Sequence, residues 1–268
     1  MVRNFLTAII VLCLSLPAMA QNYELGAWLG VSNYFGDLNP NFGIERLGPA
    51  GGLVGRVNVN PRVSFKASAN YANVGYRDEL SNNPFQKTRN LSFQSHILEA
   101  VGQVEFNFLP FVSSEYEKFF SPYLFVGGGV FNFNPRTKFE DEWVKLQPLG
   151  TEGQADGEEY NLTSPVIAYG GGFRFALNYA WSINIEASAR RLFTDYLDDV
   201  SGVYADAQQL ENQRGELAVQ LADRSWEVSE FPIGEVGRQR GNPLSNDAYM
   251  TLGISIVYHI GGIKCPDF

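Results

Sequence analysis

Three acidic residues stand close together in the run Thr194-Asp-Tyr-Leu-Asp-Asp-Val200, and clustered carboxylates are what a hard cation such as calcium takes as ligands. Asp195, Asp198 and Asp199 are therefore a calcium candidate, although the run lacks the glycine and the twelfth-position glutamate of an EF-hand loop. A solvated acidic rim is the blander reading of this run, and also of Asp141, Glu142, Asp156, Glu158 and Glu159. Serine-type hydrolysis would need a base, and the chain has two histidines, His96 and His259. Ser95 adjoins His96, but neighbours on a strand point to opposite faces and cannot pair directly. His259 has room for a Glu or Ser to orient it, yet no nucleophile elbow accompanies either histidine. The sequence thus assigns no catalytic residue, no cofactor and no metal beyond that calcium candidate.

Composition narrows the classes further. With 20 Lys and Arg against 29 Asp and Glu, a net charge of −9, and no basic patch, the chain is a poor binder of nucleic acid. Two cysteines cannot build a disulfide framework. Residues 1–20 have the form of an export signal: Arg3, an apolar core from Phe5 to Leu16, and Ala18-Met19-Ala20 before a mature start at Gln21. Leu12 precedes Cys13 within that core, which argues against lipidation and leaves Cys265 as the sole thiol of the mature chain. Residues 21–268 are expected to form a single domain.

The remaining charges sit on segments of strict alternation. Apolar residues recur every second position over about 23–33, 53–59, 63–71, 98–108, 123–133, 167–179, 181–190 and 250–260. Arg56, Lys66, Glu99, Glu105, Arg174, Glu186 and Arg190 occupy the polar phase. The fifth segment carries Tyr123, Phe125, Phe131 and Phe133 on one face. Very short connections at Asn60-Pro61 and at 178–181, and a moderate one at about 110–121, alternate with long ones at roughly 34–50, 77–94, 134–164 and 195–247. That rhythm predicts an all-β fold: an eight-stranded antiparallel transmembrane β-barrel of outer-membrane type, with short periplasmic turns and long outer loops. No later stretch is long and apolar enough for a membrane helix. A secreted β-sandwich is the alternative, but its polar faces would meet bulk water. The alternating faces here are rich in Gly and Ser and carry both charge signs, which suits a narrow lumen where the seven charges pair as a plug. Tyr23, Phe108, Tyr123, Tyr179, Trp181 and Tyr258 are expected at the membrane interfaces.

The connection 195–247 holds eleven acids and four Arg, most of the mature chain's negative charge, and its middle, about 203–224, has helical spacing at Leu210, Leu217 and Leu221. A loop this long is expected to be partly ordered.

Several runs together resemble one family. They are Glu24-Leu-Gly-Ala-Trp-Leu-Gly-Val-Ser-Asn-Tyr-Phe-Gly-Asp-Leu-Asn-Pro40, Arg89-Asn-Leu-Ser-Phe93, Ser121-Pro-Tyr-Leu-Phe125 running into Phe133-Asn-Pro135, Pro148-Leu-Gly-Thr-Glu-Gly-Gln154, Phe193-Thr-Asp-Tyr-Leu-Asp-Asp-Val-Ser201 and Lys264-Cys-Pro-Asp-Phe268. In that order they are similar to a Bacteroidota outer-membrane barrel family that includes PorG, a component of the type IX secretion system. The resemblance implies a non-enzymatic barrel in the outer membrane that associates with a periplasmic ring of PorK/PorN-like proteins.

Two functions follow as expectations. A secretion scaffold would make its contacts on the periplasmic side, through Phe111, Tyr116, Phe119 and Phe120 and through the tail that carries Cys265. A surface receptor or adhesin would use the long acidic outer loops instead.

Overall fold

The computed structural model describes residues 22–113 and 115–260. The expected signal segment and the tail with Cys265 lie outside the described residues. Ten strands appear in chain order: β1 (Asn22–Phe35), β2 (Gly48–Asn58), β3 (Val63–Arg77), β4 (Ser92–Asn107), β5 (Phe120–Asn132), β6 (Pro135–Phe139), β7 (Glu142–Lys145), β8 (Thr163–Ala176), β9 (Trp181–Leu192) and β10 (Ala248–Ile260). Eight of them form a closed antiparallel barrel in which each strand pairs with its neighbour along the chain. The circle closes where β1 pairs with β10 from Tyr23↔Ile260 to Phe35↔Ala248. The remaining two, β6 and β7, make a hairpin that extends above β5 and pairs with the outer end of β4 at Gln94↔Arg136. Closure leaves no unpaired barrel edge, so every backbone amide along the wall can be satisfied without water.

The tight turns at one end are built from asparagine. Asn60 Oδ1 accepts the N–H groups of Arg62 and Val63 at 2.8 and 2.9 Å, and Asn178 Oδ1 does the same for Ala180 and Trp181, each at 2.9 Å. An Asx side chain thereby takes up the amides that a reversal leaves without ladder partners. Both ends of the described chain lie at this short-turn end, because Tyr23 pairs with Val57 and with Ile260.

The wall is apolar outside and polar inside. On β4, Leu98, Val104 and Phe106 face outward and are largely exposed, while Glu99, Gln103 and Glu105 point inward and are buried. Leu29, Leu53, Leu124, Val126, Val130, Leu252, Ile254 and Ile256 continue the exposed apolar band around the barrel. A band of this extent in water would leave each large side chain roughly 1.5–3 kcal/mol short of its buried state. The arrangement is the reverse of a soluble domain and suits a hydrocarbon surround.

Beyond the ends read from the sequence, the strands run further outward, and there the alternation inverts. On β3, Ala72, Val74 and Tyr76 are buried inside, and on β4 Phe93 and Ile97 are too, while Asn73, Gln94 and His96 face out. With Tyr34, Phe131, Phe133, Val166, Leu192 and Tyr249 they make an apolar core in the outer part of the barrel. The aromatic face of β5 belongs to this interior. Tyr123, Phe125, Phe131 and Phe133 are all buried inside, so Tyr123 is not an interfacial residue as expected. The close approach of Gly172 on β8 makes room for it, since a Cβ there would sit 3.0 Å from the Tyr123 ring.

The last loop is ordered, as expected. It contains α2 (Ala207–Arg214), capped by Asp206 through the Gln209 amide at 2.9 Å, and α3 (Glu216–Ala222), separated from it by Gly215 at φ 84°. With α1 (Pro84–Arg89) on the β3–β4 connection and the β6–β7 hairpin, these pieces form a cap over the outer end.

Candidate functional site

Register decides which charges meet in the lumen. Glu24 on β1 lies directly across from Arg56 on β2 and from His259 on β10. Arg56 donates to Glu24 at 2.6 Å and to Glu105 at 2.5 Å, and Arg174 reaches Glu24 at 2.7 Å. Lys66 bridges Glu105 at 3.1 Å and Glu186 at 2.5 Å. Higher up, Arg190 faces Glu99 at 3.3 Å and donates to Thr251 Oγ1 at 2.6 Å, while the Tyr249 and Asn70 side chains donate to Glu99 at 2.7 and 2.8 Å. All seven charges read as lumen residues therefore meet here, and an eighth, Glu24, joins them. Its signal was present in the sequence, because it occupies the polar phase of strand one beside Leu25.

This network fills the bore. Four acids (Glu24, Glu99, Glu105, Glu186) balance four bases (Arg56, Lys66, Arg174, Arg190), with the Trp28 indole donating to Asn70 Oδ1 at 2.9 Å. Gly253 gives Trp28 its place, since a Cβ there would lie 2.6 Å from the indole. The space left among Trp28, Arg56, Lys66, Gln103, Glu186 and Arg190 is about 30 Å³. That is room for a few water molecules at most, far short of a passage.

The short-turn end has its own stopper. Phe111, on the β4–β5 connection, donates its amide to Pro61 O at 2.9 Å, and the Ser113 hydroxyl donates to Tyr179 O at 3.2 Å, so this connection is tied to both of the other turns. The Phe111 ring lies over the Arg174 guanidinium at 4.3 Å and stacks against His259 at 6.3 Å. Phe111 is therefore buried, which corrects its reading as an exposed partner contact. An arginine face left uncovered at the mouth offers an aromatic ring more than water does. Phe120 is half-buried against Phe173 and Phe175, and Phe119 is exposed at the rim. The side chain of Tyr116, like Cys265, lies outside what is described.

His259 does meet a serine and an acid: Nε2 lies 3.1 Å from Ser182 Oγ and Nδ1 lies 3.3 Å from Glu24 Oε1. The trio is poorly suited to nucleophilic catalysis. Ser182 is fully buried, Glu24 is already neutralised by two arginines, and Phe111 covers the approach. His96 points outward, its Nδ1 2.7 Å from the Tyr71 hydroxyl, while Ser95 points inward and accepts the Asn134 amide at 3.0 Å.

The outer cap is organised differently. Arg89 grips Asp78 with Nε and Nη2 at 2.7 and 2.8 Å and donates Nη1 to Arg240 O at 2.7 Å. Arg240 in turn holds Glu152 at 3.1 Å and the Asp199 carbonyl at 2.5 Å. Glu152 also receives the amides of Ser201 and Gly202 at 2.9 and 3.0 Å, and Arg214 reaches Glu159 at 2.6 Å and Asp156 at 3.1 Å. Part of the acidity expected on a solvated rim is thus spent on joining the β7–β8 connection to the last loop.

Asp195, Asp198 and Asp199 do not converge on a cation. Asp198 accepts from the Tyr34 hydroxyl at 2.5 Å and from the Val200 amide at 2.9 Å, whereas Asp199 accepts from Thr151 and Tyr160, both at 2.6 Å. Among the described residues no group of three His, Cys, Asp or Glu side chains is placed to hold a metal ion. The calcium candidate is withdrawn for that reason: Asp198 and Asp199 have been taken up by different protein donors. Burial pushes Asp195 up to about 7, with Asp37 and Glu152 adding to it, and pushes Asp199 up to about 6 against the pull of Arg240.

The sequence model of a family described as Domain of unknown function (DUF6089) matches residues 3–226. The chain belongs to the DUF6089 family. No curated protein matches it. Solved structures similar to this DUF6089 member are barrels of low sequence identity. They include Ail of Yersinia pestis in complex with the heparin analogue sucrose octasulfate, at 8% identity over 90% of this chain and 97% of that one with a TM-score of 0.41. Neisserial surface protein A aligns at 9% identity over 90% and 97% with a TM-score of 0.40, and OprG of Pseudomonas aeruginosa at 9% over 90% and 96% with a TM-score of 0.39.

Proposed function

We propose that this barrel sits in the outer membrane and works without catalysis, as an anchor and scaffold of the type IX secretion machinery that contacts a PorK/PorN-like periplasmic ring. The observation that carries the scaffold reading is the sealed interior. The exterior is apolar around the barrel, while the lumen is filled by matched ion pairs and stopped by Phe111, so the wall offers anchorage and no conduit. The likeness of the runs at 24–40, 148–154 and 193–201 to the family that includes PorG supports the choice of machine.

Affinity purification of the tagged full-length protein from detergent-solubilised envelopes tests this. Co-purification of ring lipoproteins, together with loss of secreted cargo in a deletion strain, is the expected result. A deletion strain with normal secretion and a purified barrel free of ring components would overturn it.

A second reading, a surface receptor or adhesin, has one observation in its favour. The cap is folded and displays Trp226, Phe231, Val236 and Leu244 exposed on its surface. Loss of binding to a host or environmental surface on replacing 223–247, with secretion unchanged, would favour this reading over the first.

A further inference from the structure

One buried fastening of the cap to the barrel wall is built from a tyrosine and two acids. Tyr34, at the outer end of β1, has a single hydroxyl proton, yet its oxygen lies 2.5 Å from Asp198 Oδ2 and 2.9 Å from Asp247 Oδ1. All three side chains are buried. The hydroxyl can donate to only one carboxylate, so the other contact is a hydrogen bond only if that carboxyl keeps its own proton and donates it to the phenol oxygen. The second oxygen of each acid is already engaged: Asp198 Oδ1 accepts the Val200 amide at 2.9 Å and Asp247 Oδ2 accepts the Leu197 amide at 2.9 Å. The trio therefore pins the start of the last loop and the start of β10 to β1.

Further charges press on the trio from several sides. Asp195 belongs to the last loop and Asp37 to the β1–β2 connection, and both add negative charge. Glu152 faces Asp195 and Asp37, Arg89 of α1 faces Asp198 and Asp37, and Arg240 faces Asp37. Each arginine is also committed to another acid, Arg89 to Asp78 and Arg240 to Glu152. The outer site thus has more acid than base to answer it, unlike the lumen.

We propose that the cap is a proton-dependent latch: the Tyr34 hydroxyl joins Asp198 to Asp247 while one of the two acids remains protonated, and the latch opens as that proton leaves. Once it is lost, two carboxylates share one donor in a buried site and repel, and the 193–247 loop lifts from the rim. This goes beyond the scaffold reading and holds whichever partner the barrel has. Burial raises both acids well above the usual carboxylate range, the direction that favours a retained proton.

The test uses the full-length mature protein, folded in detergent and digested briefly with a broad-specificity protease from pH 6 to pH 9. Cap cleavage is normalised to an unstructured peptide at each pH. Loss of one proton changes the open fraction by up to about tenfold per pH unit, so wild-type cleavage within 203–240 should rise by about that factor or more across the range. Asp247→Asn should make the profile shallower by one proton's share, leaving the part due to Asp195 and Asp199, because its amide can donate to Tyr34 while its oxygen still accepts the Leu197 amide. Asp198→Asn should act in the same way, and Tyr34→Phe should raise cleavage already at pH 6. Heat-dependent gel mobility checks that each variant barrel is folded. A flat wild-type profile overturns the latch, as does the wild-type slope persisting in folded asparagine variants. Exposure of the cap at pH 6 by a chelator would also overturn it, since a cation rather than a proton would then be holding the acids.

Discussion

The lumen and the cap are both crowded with buried charge, but they are balanced differently. In the lumen four acids meet four bases, each within 3.3 Å of an opposite charge. In the cap, Asp37, Asp78, Glu152, Asp198 and Asp199 share Arg89 and Arg240, while Asp195 and Asp247 lie among the other acids. A balanced set in a low-dielectric interior is stable as long as no partner is removed, and it forms wherever the wall folds. An acid-rich set must hold protons instead, so its cohesion depends on pH. The barrel is thereby a rigid post and the cap a conditional one.

The largest expected effect breaks the balance of the lumen. Glu105→Gln leaves Arg56 and Lys66 with one acid fewer in a fully buried site, and stranding a buried charge costs about 3–5 kcal/mol. The unfolding midpoint in urea, read from heat-dependent gel mobility, should fall accordingly. A loss below about 1 kcal/mol would mean that solvent reaches the network after all.

Next comes Arg240→Ala, which removes the donors to Glu152, to the Asp199 carbonyl and to the Ala222 carbonyl at 3.1 Å. Hydrogen bonds to charged groups contribute about 1.5–3 kcal/mol each, so the cap should become protease-sensitive while the barrel keeps its mobility on gels. Unfolding of both together would show that cap and barrel are one cooperative unit.

Raising the pH should separate the two regions with no mutation. The folded-state values of Asp195 and Asp199 are raised, to about 7 and about 6, so their stabilising contribution is complete below the unfolded value near 4 and fades as pH climbs through 6–7. Between its unfolded and folded values each group weakens the cap by up to about 1.4 kcal/mol per pH unit, and above the folded value the loss is complete. Hydrogen exchange corrected for intrinsic rates should show cap amides losing protection from about pH 4 to about pH 7 and lumen-wall amides keeping theirs.

Function of the bore gives a sharper contrast with smaller energies. Purified protein in planar bilayers should show no large stable conductance steps, and Phe111→Ala should leave this unchanged, because the ion pairs above it still fill the lumen. At the bottom of the scale, Asp141→Asn, whose partner Lys138 is exposed beside it, should leave both regions unaltered in stability.

Much of the wall was legible beforehand, for a physical reason. Period-two alternation states which side chains must face a common surround, so Leu53, Leu98 and Ile254 announced the outer face, and Arg56, Glu105 and Arg174 the inner one. The reading failed where the surround changes. Above the apolar band the outside is polar and the inside apolar, so the same alternation runs on with reversed meaning; apolar periodicity alone ends β3 at Tyr71 and begins β4 at Leu98, whereas the strands continue to Arg77 and start at Ser92. The aromatic face of β5 was ambiguous for the same cause, since Phe131 and Phe133 are as apolar as a lipid-facing pair and yet fill the outer core. For Phe111 no local pattern existed at all. Its burial depends on Arg174 and His259, 63 and 148 residues away along the chain.

Alternation, turn chemistry and loop lengths, all local properties of the chain, sufficed to determine eight barrel strands, their inward charges and an ordered acidic last loop. Only tertiary structure could decide which charges pair, because Glu24 meets Arg174 through strand register around a closed circle rather than through spacing. It alone also decided that Asp195, Asp198 and Asp199 separate toward different partners. An acidic run states how much negative charge is present, but whether that charge gathers on a cation, on an arginine or on a shared proton is set by what the rest of the chain brings within about 3 Å of each oxygen.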